Sequence, residues 1–392
     1  MRLVCISPYD PREAHTHAGG VFLQSWLKGL APDHRIHVLV PATTNSMGAG
    51  DWAGVRVVPL SMDSSPGLFR RIADGLGPSN AFLQALLSDP QRSLLDGADL
   101  VDVHWPSMLG VVPTLAEHFA KPISYVAHDL RSEALMSQLL QRESPKAALA
   151  AGLKLGRCLL QEVRAIRKID VAWCFKTQDA NLIQRFAPSV RTELLEPSFS
   201  EIPISKLATP SGRVVGFVGD LSKIENRVAL RWFLRKVWPR VRAHVPDAEF
   251  RVYGGGADGN LLTFASGPGV TVVGWVDDLA DAYREMRVAV VPLKIRGGIK
   301  FKVAEAFAHG TPVIASKVGA AGYPPSMRNS LIIAVTSTEW VSAVERLLLG
   351  AAPNRDDAEY LRGLIRSTYD YDRLLRRVGT VFEKLATGSP LE

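Results

Sequence analysis

Two residues of opposite charge, Lys302 and Glu305, stand three apart in the segment GGIKFKVAEAFAHGTP, Gly297 to Pro312. Arg287 to Ser316 reads strand, Gly-rich turn, helix, turn, strand. The helix spans about Ile299 to His309 and is stopped by Gly310 and Pro312. A separation of three puts Lys302 and Glu305 on one helix face. Glycines ahead of a helix let a ligand approach the backbone, and the N–H groups of a first turn suit a diphosphate. On that face Lys302 can neutralise a diphosphate, and Glu305, one turn deeper, can accept hydrogen bonds from two ribose hydroxyls. The combination suits a sugar nucleotide. The plainer alternative is a surface ion pair without function. Against it, Glu305 is flanked by Val303, Ala304, Ala306 and Phe307, neighbours that fit a pocket wall.

The first half offers other groups. His128 ends the strand candidate Ile123–His128, where a parallel strand aims its last residue at a ligand cleft, and Asp129 could orient it or cap the next helix. His104 ends Leu100–His104 and is followed by Trp105. Gly19-Gly20 precedes an amphipathic helix carrying Val21, Trp26, Leu27 and Leu30, either a place to meet phosphate or sugar or a plain turn into a helix. His15 and His17 read as exposed loop residues.

Short β-branched runs alternating with longer amphipathic stretches position these groups, the pattern of parallel sheets wrapped by helices. The first-half strand candidates are Leu3–Ser7, Ile36–Val40, Val55–Leu60, Leu100–His104, Ile123–His128, Val171–Phe175 and Thr192–Glu196. The second-half candidates are Val214–Val218, Phe250–Tyr253, Val270–Val273, Val288–Pro292, Pro312–Ser316 and Leu331–Val335. Between them lies Pro197–Gly212, rich in Pro, Ser and Thr, which reads as a linker. The expected organisation is a first α/β domain over 1–197, a linker over 198–212, a second α/β domain over 213–365 and a terminal helix over 366–392 crossing back toward the first. Two Rossmann-like domains of this kind face a central cleft, and ligands sit beyond the carboxyl ends of the strands.

The chain has 392 residues, 47% hydrophobic and 22% charged, enough for two cores and too ordered in composition for extensive disorder. Cys5, Cys158 and Cys174 are far apart in apolar surroundings and read as buried thiols of a reducing compartment, with no metal-ligand spacing. MRLVCISPYD is too short an apolar run for a secretory signal, and no uncharged stretch reaches the roughly 18 residues of a membrane span. A cytoplasmic protein is expected. The net charge of +7 points to anionic partners, but the basic residues are scattered and no nucleic-acid module appears. Leu153–Lys168 carries Lys154, Arg157, Arg164, Arg167 and Lys168 against one acid, Glu162, with Leu155, Leu159, Val163 and Ile166 on one face. Such a helix can bury its stripe or lie peripherally on an anionic membrane.

GGIKFKVAEAFAHGTPVIAS resembles the sugar-nucleotide signature of family-4 (group 1) glycosyltransferases of the glycosyltransferase-B fold. The likeness continues through VVGFVGDLSKIENRVALRWFLRKVWPRVRAHVPDAEFRVYGGG and VTVVGWVDDLADAYREMRVAVVPL, covering roughly Arg213 to Gly322, with a looser likeness in the first half. The resemblance implies transfer of a sugar from a nucleoside-diphosphate sugar to a hydroxyl acceptor (a glycan, a lipid-linked sugar or a small molecule), with retention and without a metal or other cofactor. Glu305 matches the second glutamate of the family's E-x7-E motif, the ribose ligand, whereas the first falls on Gly297. Gly297, Gly298, Ile299 and Lys300 could replace it with backbone N–H groups and a cation. Many relatives place Arg directly after the glycine of the first C-terminal strand, and a Lys a few residues on. Here Gly219 precedes Asp220, and Lys223 and Arg227 stand out of register. Val276 falls in the nucleobase loop, beside a Trp275 that reads slightly better as core. In the first half the resemblance makes Gly19 and Gly20 a ligand loop, and His128 a contact to the reacting sugar. If the reaction inverted instead, His128 and Asp129 would be the natural base dyad.

Three rivals remain at this stage. A nucleotide-sugar epimerase of similar architecture would turn over donor alone. A dinucleotide dehydrogenase needs a Gly-x-Gly-x-x-Gly spacing that Ser7–Gly20 lacks. An inactive nucleotide-binding protein would accommodate Gly297 and Asp220.

Overall fold

The computed structural model describes residues 1–13, 18–42, 48–60, 80–139, 145–195, 210, 212–276, 278–296, 299–350 and 355–390. It divides into two compact units, Met1–Ser198 with Tyr371–Glu392, and Phe199–Asp370.

In the first unit, eight strands order β3-β4-β2-β1-β5-β6-β7-β8: β1 Arg2–Ile6, β2 Arg35–Pro41, β3 Gly50–Trp52, β4 Val55–Leu60, β5 Leu100–His104, β6 Ile123–Ala127, β7 Val171–Cys174 and β8 Arg191–Leu194. Every residue of β5, β6 and β7 is buried, as expected of parallel strands covered on both faces. All pairings are parallel except β3 with β4. The sequence pattern does not announce β3, because three residues on a sheet edge have little to bury. Its hairpin turns at Ala53 and Gly54, with φ of 48° and 83°, the left-handed pair that a tight turn between twisted strands requires. The helix Tyr371–Thr387 belongs to this unit. Phe382 is fully buried, with its ring 6.3 Å from that of Trp26 and 6.2 Å from that of Trp173. The Tyr371 hydroxyl donates to Ser25 O, and the Arg377 guanidinium to Leu194 O.

In the second unit, six parallel strands order β11-β10-β9-β12-β13-β14: β9 Val214–Val218, β10 Glu249–Tyr253, β11 Val270–Gly274, β12 Val288–Val291, β13 Val313–Ala315 and β14 Ile332–Ile333. The loops leaving β9 and β10 are joined backbone to backbone: Gly219 N donates to Tyr253 O at 2.9 Å and Leu221 N to Gly255 O at 2.7 Å. The run Tyr253-Gly254-Gly255-Gly256 permits this approach. Gly254 has φ +135°, and a Cβ there would lie 2.1 Å from Gly219 O; Gly256 has φ +81°. Gly254→Ala is therefore expected to cost about 3 kcal/mol or more, combining backbone strain with a clash that backbone must yield to. Thermal unfolding would read this as a fall in Tm of several degrees.

All three cysteines are free and buried. Among the described residues no helix is long and apolar enough to cross a membrane.

Candidate active site

Helix Phe301–Ala308 follows β12 and begins at Lys300, whose side chain makes no capping bond. Tyr323 braces this end, its hydroxyl donating to Lys300 O at 2.7 Å and accepting from Ala304 N at 3.2 Å. Lys302, in the first turn, points to the end of β9. Its Nζ donates to Asn226 Oδ1 at 2.9 Å and lies 4.8 Å from the centre of the Phe217 ring. Asn226 is fixed in turn, donating from Nδ2 to Asp220 O at 2.8 Å. A Cβ at Gly219 would stand 2.7 Å from Lys302 Nζ and 2.9 Å from Asn226 Nδ2, so a side chain there would displace this pair. Burial, aided by the charge of Lys300, pushes the Lys302 ammonium down to about 7.

Glu305 lies one turn on. The buried Tyr283 hydroxyl donates to its Oε2 at 3.3 Å, and Tyr283 packs its ring on His309 with centroids 5.1 Å apart and planes 14° apart. Burial raises the Glu305 carboxyl above the ordinary carboxylate range, against the pull of Lys302 and the Tyr283 bond. Lys302 and Glu305 are thus not a surface ion pair, since each is held by a neutral partner. A half-buried cation with no direct ion pair among the described residues is suited to a transient anion, and a carboxylate held by one phenol keeps acceptor capacity for hydroxyls.

The other second-unit residues fall out differently. Ile299 is buried and Lys300 half-buried; Gly297 and Gly298 lie outside the described residues. Lys223 is exposed at the N-cap of helix Ile224–Lys236. Arg227 is engaged with Asp258, the N-cap of helix Gly259–Phe264, so its charge is already matched. Asp220 closes a turn after β9, accepting from Ser222 N at 2.9 Å. Val276 is half-buried. Trp275 is 53% exposed, which corrects the expectation of a core residue: it follows β11, the edge strand of the sheet among the described residues.

In the first unit, His128 follows β6 and is buried, its ring stacked on Trp105 at 3.8 Å with planes 4° apart. His104 ends β5. Its Nε2 lies 2.9 Å from Asp102 Oδ2, an oxygen that also accepts from Trp26 Nε1 at 3.0 Å. The carboxylate–imidazole pair at the carboxyl end of these central strands is therefore Asp102–His104. Asp129 is half-exposed, and the amide of Arg131 at the start of the next helix is taken by Glu162 Oε1 at 2.7 Å. Gly19 and Gly20 lie inside the first turn of helix Ala18–Leu30, not ahead of it. That helix buries Phe22, Leu23, Trp26, Leu27 and Leu30 and exposes Val21. His15 and His17 lie outside the described residues. Cys5, Asp102 and His104 form a buried group whose donor atoms lie within 4.8 Å of one another. Asn226, Tyr283, Tyr323 and Asp102 are partners that spacing did not reveal.

Residues 212–349 match the family model for glycosyl transferases group 1. The match lies within the second unit. Sucrose-phosphate synthase from Thermosynechococcus elongatus superposes with a TM-score of 0.76 at 17% identity, over 99% of this chain and 100% of that one. The E. coli trehalose-6-phosphate structure bound with UDP-2-fluoro glucose gives 0.68 at 13%, over 98% and 99%. The Anabaena protein HepE, in complex with UDP and glucose, gives 0.63 at 13%, over 97% and 99%. At such identities the likeness is one of fold, and that fold is glycosyltransferase-B. No curated protein sequence matches the chain significantly. The group 1 match and the absence of a Gly-x-Gly-x-x-Gly turn after β1 leave the dehydrogenase reading without support.

Proposed function

We propose that the chain transfers a sugar from a nucleoside-diphosphate sugar to a hydroxyl acceptor, with retention at the anomeric carbon. The observation that carries this is the state of Lys302: a half-buried ammonium held by Asn226 against Gly219, at the carboxyl end of β9. Charge grows on the leaving diphosphate as the glycosidic bond breaks, and a preorganised cation stabilises it best where water is scarce. Glu305 binds the ribose. Lys300 and the backbone of the loop before the helix complete the phosphate cradle, Lys223 adds charge at its rim, and Val276 borders the base. His128 contacts the sugar being moved. No separate strong base is then required, because the acceptor hydroxyl can pass its proton to the leaving phosphate oxygen on the same face. No metal takes part in this scheme.

Calorimetry with a panel of nucleotide sugars, begun with UDP sugars because two of the neighbours above carry UDP or a UDP sugar, together with product analysis, tests the reading. Donor turnover without acceptor would favour an epimerase, and binding without turnover an inactive relative. Anomeric NMR that gave a β product from an α donor would sink retention.

One observation favours peripheral membrane contact. Helix Pro145–Ile166 buries Leu155, Cys158, Ala165 and Ile166 within the first unit, so the apolar stripe legible in the sequence is used internally. A second row, Leu149, Leu153 and Leu160, is 64–75% exposed and flanked by the exposed Arg157 and Arg164. Spacings of four and seven align these leucines on one face. Leucines projecting between arginines match the boundary of an anionic bilayer, and that surface is the occupant proposed here. Replacing the three leucines by glutamine is expected to abolish sedimentation with vesicles containing phosphatidylglycerol while leaving transfer to a soluble acceptor unchanged. Equal sedimentation of the variant, or none by the parent chain, would refute the contact.

A further inference from the structure

Trp105 stands out on backbone grounds. Among the described residues only Ala53 and Trp105 have positive φ without being glycine, and Ala53 has the ordinary reason of a hairpin turn beside Gly54. Trp105 has φ 69° and precedes Pro106, a position where the backbone is already restricted toward extended conformations. A bulky side chain in the left-handed region is held there only when its surroundings over-determine it.

Trp105 O accepts from Met108 N at 3.0 Å in the turn that follows, and the remaining contacts gather around one imidazole. Val126 O accepts from both Trp105 N, at 3.3 Å, and His128 N, at 3.1 Å, tying the two residues to one carbonyl. The indole then lies flat on the His128 ring, 3.8 Å away and 4° from parallel. Phe22 meets the same ring edge-on at 5.6 Å and 84°, and Phe175 and His104 lie at 5.6 and 5.8 Å. His104 is itself set by Asp102, which Trp26 holds from behind. On the outer side Tyr9 packs edge-on against Trp105 at 4.8 Å and 73°. Core packing does not require this geometry, since Trp105 is only half-buried, and an extended backbone would release the strain while losing the flat stack.

We propose that Trp105 is a positioning residue, which fixes the plane of the His128 imidazole so that its polar edge keeps one orientation toward the sugar being transferred. The left-handed backbone is what the stack costs. The inference rests on His128 contacting that sugar, as proposed above.

Three variants of the full chain test it: Trp105→Ala, Trp105→Phe and Trp105→Gly. The His128 ring protons, lying over the indole, should resonate upfield in the parent and move downfield in Trp105→Ala. That variant should lose roughly tenfold to a hundredfold in kcat, the scale set by misplacing a positioned group, while donor KM stays within about twofold. Trp105→Phe should recover much of both signals. Trp105→Gly, whose backbone takes positive φ freely, should melt no lower than Trp105→Ala yet be no more active. Parental kcat in Trp105→Ala, with His128→Ala inactive, would overturn the clamp alone. Parental kcat in His128→Ala would overturn the role of His128 and the clamp with it. A kcat loss in Trp105→Ala without any movement of the His128 resonances would also overturn the clamp.

Discussion

Lys302→Met is expected to lower kcat by roughly a hundredfold to a thousandfold, the range measured when one preorganised donor to a developing anion is removed. The same change should raise stability, and this pairing marks a functional residue. Burial lowers the lysine to about 7, so the folded chain disfavours the ammonium. The sign follows: the destabilisation is complete below about pH 7, fades as pH climbs toward the unfolded lysine value, and is absent above it. Lys302→Met should therefore melt above the parent at pH 6, with the gap narrowing at higher pH. Donor binding carries the complementary signature. A diphosphate beside Nζ favours the charged form, so binding above pH 7 takes up a proton. Affinity should then fall by up to about tenfold per pH unit between 7 and the raised value in the complex. Calorimetry in buffers of different ionisation enthalpy would count that proton, and a count near zero at pH 8 would remove Lys302 from the phosphate site.

Glu305→Ala should weaken donor binding by roughly a hundredfold or more, since two hydrogen bonds to a charged acceptor are worth about 1.5–3 kcal/mol each. The loss should be read on donor Kd and KM, because ribose contacts are shared by ground and transition states. A 2′-deoxyribose donor supplies the control. It should bind the parent more weakly than the ribose donor by roughly tenfold or more, the loss of one such bond, and bind Glu305→Ala no differently. If the variant still told the two donors apart, the ribose would have another partner. The energetic logic resembles that of Lys302, since burial raises the Glu305 carboxyl and a neutral glutamine should be easier to fold. Here too the chain keeps a group that burial disfavours, as binding sites often do.

Much of this organisation is visible in the sequence because parallel strands buried on both faces are written as β-branched runs, as in VVGFV and VAVV. The edge strand β3 escapes because a three-residue strand with no fully buried residue needs no such run. Trp275 is misread for a related reason: hydrophobicity reports what a side chain would prefer, and its place after the edge strand β11 does not provide it. The pair Lys302 and Glu305 is legible through helical spacing, but their partners Asn226 and Tyr283 lie 76 and 22 residues away and have no local pattern to announce them. Arg227 shows the converse failure. Composition marks it as a spare cation, whereas the fold spends it on Asp258. The basic helix was readable as amphipathic, yet only packing distinguishes the row it buries from the row it leaves outside.

The helix Tyr371–Thr387 gives the chain an unusual order of manufacture. The first unit opens the chain, but the helix that covers Trp26 and Trp173 is synthesised only after the whole of Phe199–Asp370. On the ribosome the second unit has every residue it needs before the first does. Until the last helix arrives, two tryptophans of the earlier unit lack one of their aromatic neighbours. A nascent chain halted before Tyr371 would therefore present an incomplete first core although every residue of the second unit had been made, a state in which chaperones would have more to recognise than in the finished protein.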